Sequence, residues 1–338
     1  MLSRPTYIVT GGAGFVGSNL VAALLVREPR PHVVVIDNFR SGSFANITEA
    51  CERRGAGVFD GTIVPESTAA IVWQLVLEEH PAQAVFHLGA VTDTTVMDEP
   101  LMIHENTNGF DELIRACAAS GTPLVYASSA ATYGTPPQTR DRVPFPVAAA
   151  GRPSNVYGFS KWLMECEHRR FAEAHAPEEP AHTVGLRYFN VFGPGEQRKG
   201  KMASMVYQLA VQMVAGKQPR VFSDGSQARD QVYIDDVVDC TIAASAPSAK
   251  PGVYNLGSGE ATSFNQLIGA ARTALEISET ERPTEYFEMP APIRAFYQDY
   301  TCADMTETFA GLGWKPRWKP EKAIGEYAAW LKRTWRPS

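Results

Sequence analysis

Short apolar runs alternate with longer stretches of helical periodicity through the first half of the chain. The apolar runs lie at residues 7–10, 32–36, 85–88, 124–127 and 183–186. Runs of this length without polar alternation are typical of parallel strands that are buried on both faces. The helical patterns between them lie at about residues 14–27, 66–79, 101–120 and 153–175. This repeated alternation predicts an α/β fold with a doubly wound parallel sheet.

The alternation stops after about residue 187, where glycine and proline become frequent. The remaining predicted elements are a helix at 202–215, strands at 232–234 and 253–256 that we expect to return to the sheet, and a final helix at about 321–335. We therefore predict a larger unit and a smaller C-terminal α/β unit. The predicted boundaries are residues 1–187 with about 231–256 for the first, and residues 188–230 with about 257–338 for the second.

Composition narrows the class of protein. The chain has 338 residues, of which 44% are hydrophobic and 20% charged, as in ordinary folded domains. A net charge of −6 argues against a general binder of nucleic acid or of anionic membranes. No apolar run approaches the ~18 residues of a membrane span, and we expect no signal peptide and a cytoplasmic location. Five scattered cysteines predict free thiols and no metal site.

One segment is basic inside this acidic chain. Residues 187–229 hold seven Lys or Arg and two Asp or Glu, which gives a local balance of +5 (7 − 2). Such a segment is either a solvated loop or a site for an anionic substrate. Because it follows the sheet directly, we favour the site for an anionic substrate.

Three glycines, Gly11, Gly14 and Gly17, form a Gly-x-x-Gly-x-x-Gly motif between the first predicted strand and helix. Glycine permits the tight turn and lets backbone N–H groups at the helix N-terminus approach a pyrophosphate. In this strand–turn–helix context the motif predicts a dinucleotide site, with Phe15 and Val16 at the start of the helix. The larger unit is therefore predicted to be the dinucleotide-binding domain.

Asp37 ends the second predicted strand and is followed by Asn38. A carboxylate at this position accepts hydrogen bonds from ribose hydroxyls and repels a 2′-phosphate, which favours NAD. Arg40 could pair with a 2′-phosphate, so NADP stays open. Further cofactor candidates are Asp60, interpreted as the end of the third strand or as an ordinary turn residue, the small residues of Leu88-Gly89-Ala90, and Asn106 as an internal polar contact.

Tyr157 and Lys161 are four residues apart, one turn apart on a helix face. A neighbouring ammonium group stabilises phenolate, so Lys161 is expected to lower the pKa of Tyr157 from about 10. A phenol tuned in this way can take a proton from a carbinol while a nicotinamide takes the hydride. Ser129, at the end of the fifth predicted strand, is expected to reach the tip of Tyr157. Two exposed helix residues would give the same spacing, and the glycine motif favours the catalytic interpretation.

These motifs together resemble the extended short-chain dehydrogenase/reductases over most of the chain. The resemblance rests on the glycine motif, Asp37-Asn38, His87-Leu88-Gly89-Ala90, Tyr126-Ala127-Ser128-Ser129, Tyr157–Lys161 and Arg187–Pro194. It implies a Rossmann-like sheet, a smaller substrate-binding domain and a homo-oligomer. It also implies nucleotide-sugar epimerisation, dehydration or decarboxylation, with cofactor contacts from Tyr157, Lys161 and Val191.

Two stretches, Tyr126–Gly134 and Gly193–Ser204, look like the ADP-glyceromanno-heptose 6-epimerases, which invert C6″ of an ADP-heptose for lipopolysaccharide core synthesis. This narrower resemblance implies a tightly bound NAD or NADP, no metal, and Tyr157 and Lys199 as the two acid–base residues. The implied substrate contacts are Ser129, Asn190, Lys199, Lys201, Gln208, Phe222, Gly225, Ser226, Arg229 and Tyr297.

Inversion gives a chemical reason for two proton-transfer groups. One tyrosine fixed on one side of a nicotinamide cannot serve both epimers unless the keto intermediate rotates. A second residue can then protonate the oxygen when the hydride returns to the opposite face. For this role Lys199 must be partly desolvated. The alternative is that Lys199 is one cation among Arg198, Lys199 and Lys201.

The chain departs from the similar enzymes at three positions. Phe44 stands where a lysine that holds a 2′-phosphate is expected, Lys201 replaces a small polar residue, and Gln208 stands in place of a histidine. The last two changes could indicate a modified substrate. Two residues also keep structural alternatives: Arg229 as a surface ion pair with Asp230, and Tyr297 as core packing.

Two other functions stay open. The first is another nucleotide-sugar epimerase or decarboxylase, such as a UDP-hexose 4-epimerase, which Lys199 and its flanking residues disfavour. The second is a dinucleotide-binding regulator that has lost its chemistry, which the presence of Ser129, Tyr157 and Lys161 disfavours.

Overall fold

The computed structural model describes residues 4–93, 96, 98–175, 182–289 and 297–336. Its main feature is a parallel sheet of seven strands with the order β10-β6-β5-β4-β1-β2-β3. These strands are β1 (Thr6–Thr10), β2 (His32–Ile36), β3 (Thr62–Val64), β4 (Ala84–His87), β5 (Leu124–Ser129), β6 (Thr183–Tyr188) and β10 (Gly252–Leu256). The predicted doubly wound α/β sheet is confirmed.

The strand order reverses at β1, which pairs with β2 on one side and β4 on the other. A ligand site in such a sheet lies at this switch point, beyond the carboxyl ends of the strands. The residues after β1, β4 and β5 therefore face the same crevice. All predicted strand runs of the first half fall in this sheet, because each is buried on both faces.

Helices cover both faces of the sheet. Those of the first half are α1 (Phe15–Leu25), α2 (Phe44–Arg54), α3 (Trp73–Glu79), α4 (Glu99–Thr107), α5 (Phe110–Ser120), α6 (Pro137–Asp141) and α7 (Val156–His175). Those of the second half are α8 (Met205–Val214), α9 (Ile234–Ala243), α10 (Phe264–Leu275), α11 (Thr306–Leu312) and α12 (Pro320–Thr334). Short 3-10 segments lie at Thr68–Ala70, Ala130–Tyr133, Val147–Ala149 and Glu196–Met202, the last of which is interrupted at Gly200.

One predicted helix is two helices. The pattern at 101–120 covers α4 and α5, which are separated at Gly109, where φ is 78°. A residue in the left-handed region ends one helix and lets the chain start another, and glycine adopts it without strain. Among the described residues, no helix is both long and apolar enough to cross a bilayer.

Outside the main sheet, the second half builds two small sheets. One joins β11 (Ala261–Ser263), β9 (Ala228–Tyr233) and β7 (Asn190–Phe192), and the other pairs β12 (Glu285–Phe287) with β8 (Arg220–Phe222). The prediction that residues 232–234 return to the main sheet is wrong, because β9 pairs with β7, which has already left that sheet. The prediction for 253–256 is confirmed by β10. The division into two domains stays a prediction.

Candidate functional site

The turn after β1 is built for close backbone approach. Gly11 has φ 64°, and a Cβ placed on it would lie 2.8 Å from the Gly89 backbone. A Cβ on Gly17 would lie 2.0 Å from the Gly11 carbonyl oxygen. No side chain caps α1 at Gly14, so its first N–H groups stay open to an anion. These features fit a pyrophosphate at the start of α1, where Phe15 and Val16 follow.

Asp37 lies at the end of β2 beside the same turn. Its Oδ2 accepts a hydrogen bond from the Ala13 N–H (2.9 Å) and its Oδ1 one from the Phe39 N–H (2.8 Å). Asn38 is exposed and accepts from the Arg40 N–H. Asp37 thus braces the turn, and carboxylate and amide groups stand together at the expected ribose position.

The interpretation of Asp60 as the end of the third strand is wrong. Asp60 precedes β3, which begins at Thr62, so it lies at the amino edge of the sheet rather than beside the crevice. Its carboxylate pairs with Arg4 and Arg30, both at 3.1 Å, and these cations hold its pKa below the ordinary value. Asp60 is therefore a surface ion-pair residue and not an adenine contact.

The end of β4 meets the glycine turn through Thr10. Its hydroxyl accepts from the Gly89 N–H (2.9 Å) and bonds His87 Nδ1 (3.1 Å). Leu88, Gly89 and Ala90 follow as small or partly buried residues at the crevice. This packing keeps the two strand ends close enough for a flat ligand to lie across both.

Asn106 is the internal polar contact expected, but its amide is used by the protein. Its Oδ1 accepts from the Val91 N–H (2.7 Å), and its Nδ2 donates to the Val91 carbonyl (3.1 Å) and to Ser160 Oγ (2.9 Å). Both ends of the amide are engaged inside the fold. The assignment of Asn106 as a cofactor contact is therefore withdrawn.

Ser129 and Tyr157 meet at the end of β5, as expected from the place of Ser129 at the end of that strand. Burial raises the pKa of Tyr157, and a hydrogen bond with Ser129 opposes that rise. The prediction that Lys161 lowers the pKa of Tyr157 is wrong, since burial and the hydrogen bond with Ser129 set the direction of the shift. Ser129 Oγ also accepts from the Ala131 N–H at 3.1 Å, which caps the following 3-10 turn.

Lys161 is a buried cation beneath the site. Its side chain is 1% exposed, and Nζ lies 3.8 Å from Met164 Sδ. Burial lowers the pKa of Lys161 to about 8. Burial and the Lys161 charge together lower the pKa of His87 to about 3, so His87 is neutral. A buried ammonium group must donate hydrogen bonds to offset its burial, so Lys161 is well placed to donate to oxygen atoms of a bound ligand.

Stability should depend on pH through Lys161. Between about 8 and the ordinary 10.5 the unfolded chain binds more protons, so the stability contributed by Lys161 rises with pH and is lost as pH falls towards 8. Lys161→Met should therefore be more stable than wild type near neutrality, with an advantage that shrinks as pH rises through this window. Urea unfolding of cofactor-free protein at a series of pH values measures it. A pH-independent difference would contradict the buried charge.

A buried ion network behind Ser129 was missed by the sequence analysis. Ser128 donates to Glu165 Oε1 (2.5 Å), and Arg187 holds the same carboxylate through Nε (2.9 Å) and Nη2 (2.7 Å). Arg187 also donates to Tyr133 Oη (3.0 Å). Glu165 lies one turn beyond Lys161 on α7, and Arg187 is the register partner of Ser128. The network fixes α7 to the strand that carries Ser129.

The two adjacent serines should therefore differ in phenotype. Ser128→Ala removes a hydrogen bond to a buried carboxylate and should lower the free energy of unfolding by about 1.5–3 kcal/mol. Chemical denaturation measures this loss. Ser129→Ala, the matched control, loses the cap of the 3-10 turn but no bond to a buried carboxylate, so it should cost less stability than Ser128→Ala and should lower turnover. Equal stability losses in both variants would argue against this division of roles.

Lys199 lies against the glycine turn. It is half-buried in the 3-10 turn Glu196–Met202, and its Nζ is 5.5 Å from the centre of the Phe15 ring. Burial lowers the pKa of Lys199, and the neighbouring Glu196 carboxylate opposes that shift. Glu196 is fully buried and accepts from Gly193 N–H (3.0 Å) and Ser204 N–H (2.6 Å). The partial desolvation that proton exchange by a lysine requires is present.

Two further candidates flank Lys199. Lys201 is exposed, and Gln208, on α8, donates through Nε2 to the Ala203 carbonyl (2.7 Å) and the Lys201 carbonyl (3.3 Å). Gln208 thus supports the backbone of the loop. Its Oε1 is the part of the amide that remains for a ligand.

The substrate candidates of the second half gather around one aromatic group. The Phe222 ring lies 5.8 Å from that of Tyr297 in an edge-on arrangement, and the Arg229 guanidinium lies 5.0 Å from the centre of Tyr297. Arg229 is 9% exposed, and burial lowers its pKa. Gly225 (φ 71°) and Ser226 form the turn between Phe222 and Arg229.

Both structural alternatives for this group can be assessed. Asp230 does not pair with Arg229, since its carboxylate accepts from Ser258 N–H (2.6 Å), Gly259 N–H (3.0 Å) and Ala303 N–H (3.0 Å). The surface ion-pair interpretation is therefore wrong. Tyr297 is only partly buried, so its ring is a contact surface beside a desolvated cation.

Asn190 and Val191 open β7 at the edge of the crevice. Asn190 is exposed and Val191 is partly buried, paired with Val232 of β9. Apart from Asp60 and Asn106, the cofactor candidates lie after β1, β2 and β4 and on α7, with Val191 on β7 as the exception. The substrate candidates other than Ser129 lie in the second half of the chain.

Comparison with known proteins identifies the family of the chain. A family model described as the NAD dependent epimerase/dehydratase family matches residues 7–257. The chain belongs to this family. Over 96% of both chains it is 34% identical to the ADP-L-glycero-D-manno-heptose-6-epimerase of Helicobacter pylori, with a TM-score of 0.80.

Other epimerase structures share the fold. The UDP-glucose 4-epimerase of Thermotoga maritima is 25% identical over 97% of this chain and 99% of that chain, with a TM-score of 0.80. The UDP-N-acetylglucosamine 4-epimerase of Methanobrevibacter ruminantium is 24% identical over 99% and 100% of the two chains, with a TM-score of 0.82. This epimerase/dehydratase family member is therefore similar in fold to enzymes that act on different nucleotide sugars.

Proposed function

We propose that the protein is an NAD(P)-dependent epimerase that inverts C6″ of ADP-D-glycero-D-manno-heptose to the L-glycero form. The observation that carries the proposal is Lys199, a partly desolvated lysine held against the glycine turn on the substrate side. In the proposed scheme, the rotated 6″-ketone turns its oxygen away from Tyr157, and Lys199 is the second group that can protonate it there. The higher identity to the H. pylori enzyme, 34% against 25% for the UDP-glucose 4-epimerase, supports the same choice.

The cofactor is proposed to be NAD or NADP, held by Gly11, Gly14 and Gly17 with Phe15 and Val16. Asp37 and Asn38 would bind the ribose, Leu88–Ala90 and Val191 would line the site, and Tyr157 and Lys161 would complete it. When bound, the dinucleotide supplies hydride acceptance and donation. Asp37 would repel a 2′-phosphate, whereas exposed Arg40 could pair with one, and Phe44 is exposed and uncharged at the start of α2.

In the proposed reaction, Tyr157 and Lys199 exchange protons with the oxygen on C6″ from two sides. One takes the hydroxyl proton as the substrate is oxidised to a 6″-ketone. After the ketone has rotated, the other protonates the same oxygen as the ketone is reduced. Ser129 bonds the Tyr157 hydroxyl, and burial weakens the proton affinity of Lys199. Which residue serves which epimer is left open.

The remaining candidates are proposed to hold the nucleotide sugar. Arg229 is suited to a diphosphate because a desolvated guanidinium donates several hydrogen bonds in one plane. Phe222 and Tyr297 offer aromatic faces to the base. The other proposed contacts are Asn190, Lys201, Gln208, Gly225 and Ser226. We also propose a homo-oligomer, as the family resemblance implies.

The proposal is tested by incubating the purified protein with ADP-D-glycero-β-D-manno-heptose and separating the two epimers by chromatography. Formation of the L-glycero epimer, with no net change in the dinucleotide, is the expected result. UDP-glucose and UDP-N-acetylglucosamine are the comparison substrates. Turnover of a UDP sugar with no turnover of the ADP-heptose would favour the second candidate, a UDP-hexose 4-epimerase. It would also remove the argument for Lys199 as a proton-transfer residue. The dinucleotide that co-purifies identifies the cofactor.

A further inference from the structure

An ion pair ties the substrate-side loop to the cofactor half of the protein. Arg198, next to Lys199, donates through Nη1 to Glu49 Oε2 (2.8 Å) and through Nη2 to Glu49 Oε1 (2.5 Å). Nη1 also reaches Asn46 Oδ1 at 3.0 Å. Gln197 Nε2 also donates a hydrogen bond to Glu49 Oε2 at 3.3 Å. A two-point guanidinium–carboxylate contact fixes orientation as well as distance.

Each end of this contact is anchored at the glycine turn. Asn46 lies on α2 with Glu49, and its Nδ2 donates to the Ala13 carbonyl at 2.7 Å. At the other end, Asn19 of α1 donates through Nδ2 to the Pro194 carbonyl at 3.0 Å. Lys199 lies over the Phe15 ring. Residues 193–202 are thus fastened on both sides of the turn where α1 begins.

These contacts hold residues 193–202 beside the start of α1, next to the position that a pyrophosphate is proposed to occupy. We expect a ligand bound there to exchange when residues 193–202 move away. The backbone contact at Pro194 is buried, whereas the Glu49 and Arg198 side chains are 44% and 35% exposed. The exposed pair is therefore the contact that can open first, with Pro194 as the pivot.

We propose that the Glu49–Arg198 ion pair is a clasp that holds residues 193–202 on the glycine turn and retains the dinucleotide between turnovers. The inference rests on the proposed cofactor site. Retention suits an epimerase, since its dinucleotide returns to the starting redox state in each cycle and need not leave. The clasp also positions Lys199, the next residue along the chain, on the same turn.

The clasp is tested by a double-mutant cycle of Glu49→Gln, Arg198→Gln and the double variant, loaded with the dinucleotide that co-purifies with the protein. The release rate is measured by trapping the freed dinucleotide with an excess of an auxiliary dehydrogenase. Each single change should speed release by about 2–5-fold, as for a half-exposed ion pair, and the double variant should be no faster than the singles. Thermal unfolding checks that all variants are folded.

Asp111→Asn supplies the matched control. Asp111 pairs with Arg115 on α5 at 2.9 Å and is similarly exposed, at 48%. Its loss should leave release unchanged. Added salt should speed release in the wild type more than in the double variant, because exposed charges are screened. Unchanged release in the single variants, or independent effects that multiply in the double variant, would overturn the clasp. The assay does not use epimerisation, so failure of the heptose assay alone leaves this result standing.

Discussion

Tyr157→Phe is expected to lower turnover by about 10²–10⁴-fold with little change in folding or in dinucleotide binding. The phenylalanine ring fills the same space, but the hydroxyl that Ser129 holds at the end of β5 is lost. A positioned general acid–base group contributes an acceleration of this size. The measurement is kcat and KM for the nucleotide sugar that the wild type turns over, with the loss expected in kcat.

Tyr188→Phe is the control for this change. Tyr188 is also a tyrosine near the site, but its hydroxyl bonds Thr241 Oγ1 at 2.8 Å on the side of α9. Its removal should leave kcat within a factor of about three. If Tyr157→Phe kept wild-type turnover, the proton-transfer role of Tyr157 would be wrong, whichever sugar is the substrate.

Much of the fold can be predicted because many segments carry a clear local pattern of apolar residues. His32–Ile36 and Leu124–Ser129 are apolar on both faces, so only a central parallel position suits them. By contrast, β3 has three residues with intermediate or exposed side chains, and α2 is short and polar on average. β3 therefore shows no clear strand pattern, and the apolar stripe of α2 is limited to Ile47, Ala50 and Cys51. Both are stabilised by tertiary contacts, such as the Asn46 bond to Ala13, which one sequence does not reveal.

The site was predictable where backbone geometry alone decides it. Gly11 and Gly17 are required by contacts that leave no room for a Cβ, and this need is visible as spacing. Asp60 was misplaced because the pattern of the third strand is weak. We placed the end of that strand at residue 60, whereas β3 begins at Thr62. Asn106 was misassigned because an amide buried among backbone groups and an amide facing a ligand look alike in a sequence.

The buried network and the Lys161 environment lay beyond the sequence for another reason. Glu165 and Arg187 are 22 residues apart and come together only through α7 and β6. Their pairing depends on which face of α7 meets the sheet. The pKa shift of Tyr157 likewise depends on desolvation, which is a sum over all the surrounding groups. Desolvation raises this pKa and outweighs the lowering that we expected from a lysine one turn away.

Lys199→Met is expected to lower turnover by about 10²–10⁴-fold while the dinucleotide stays bound, because it removes the second proton-transfer group and keeps the apolar stem over Phe15. Lys199→Arg should be almost as inactive, since guanidinium keeps the charge but does not release a proton near neutral pH. Lys217→Met, on an exposed residue, is the control. Recovery of turnover in Lys199→Arg would make Lys199 a charge that binds substrate. Near-wild-type turnover in Lys199→Met would mean that Lys199 is only one of the cations of a basic loop. Tyr157 would then be the only proton-transfer group among those proposed.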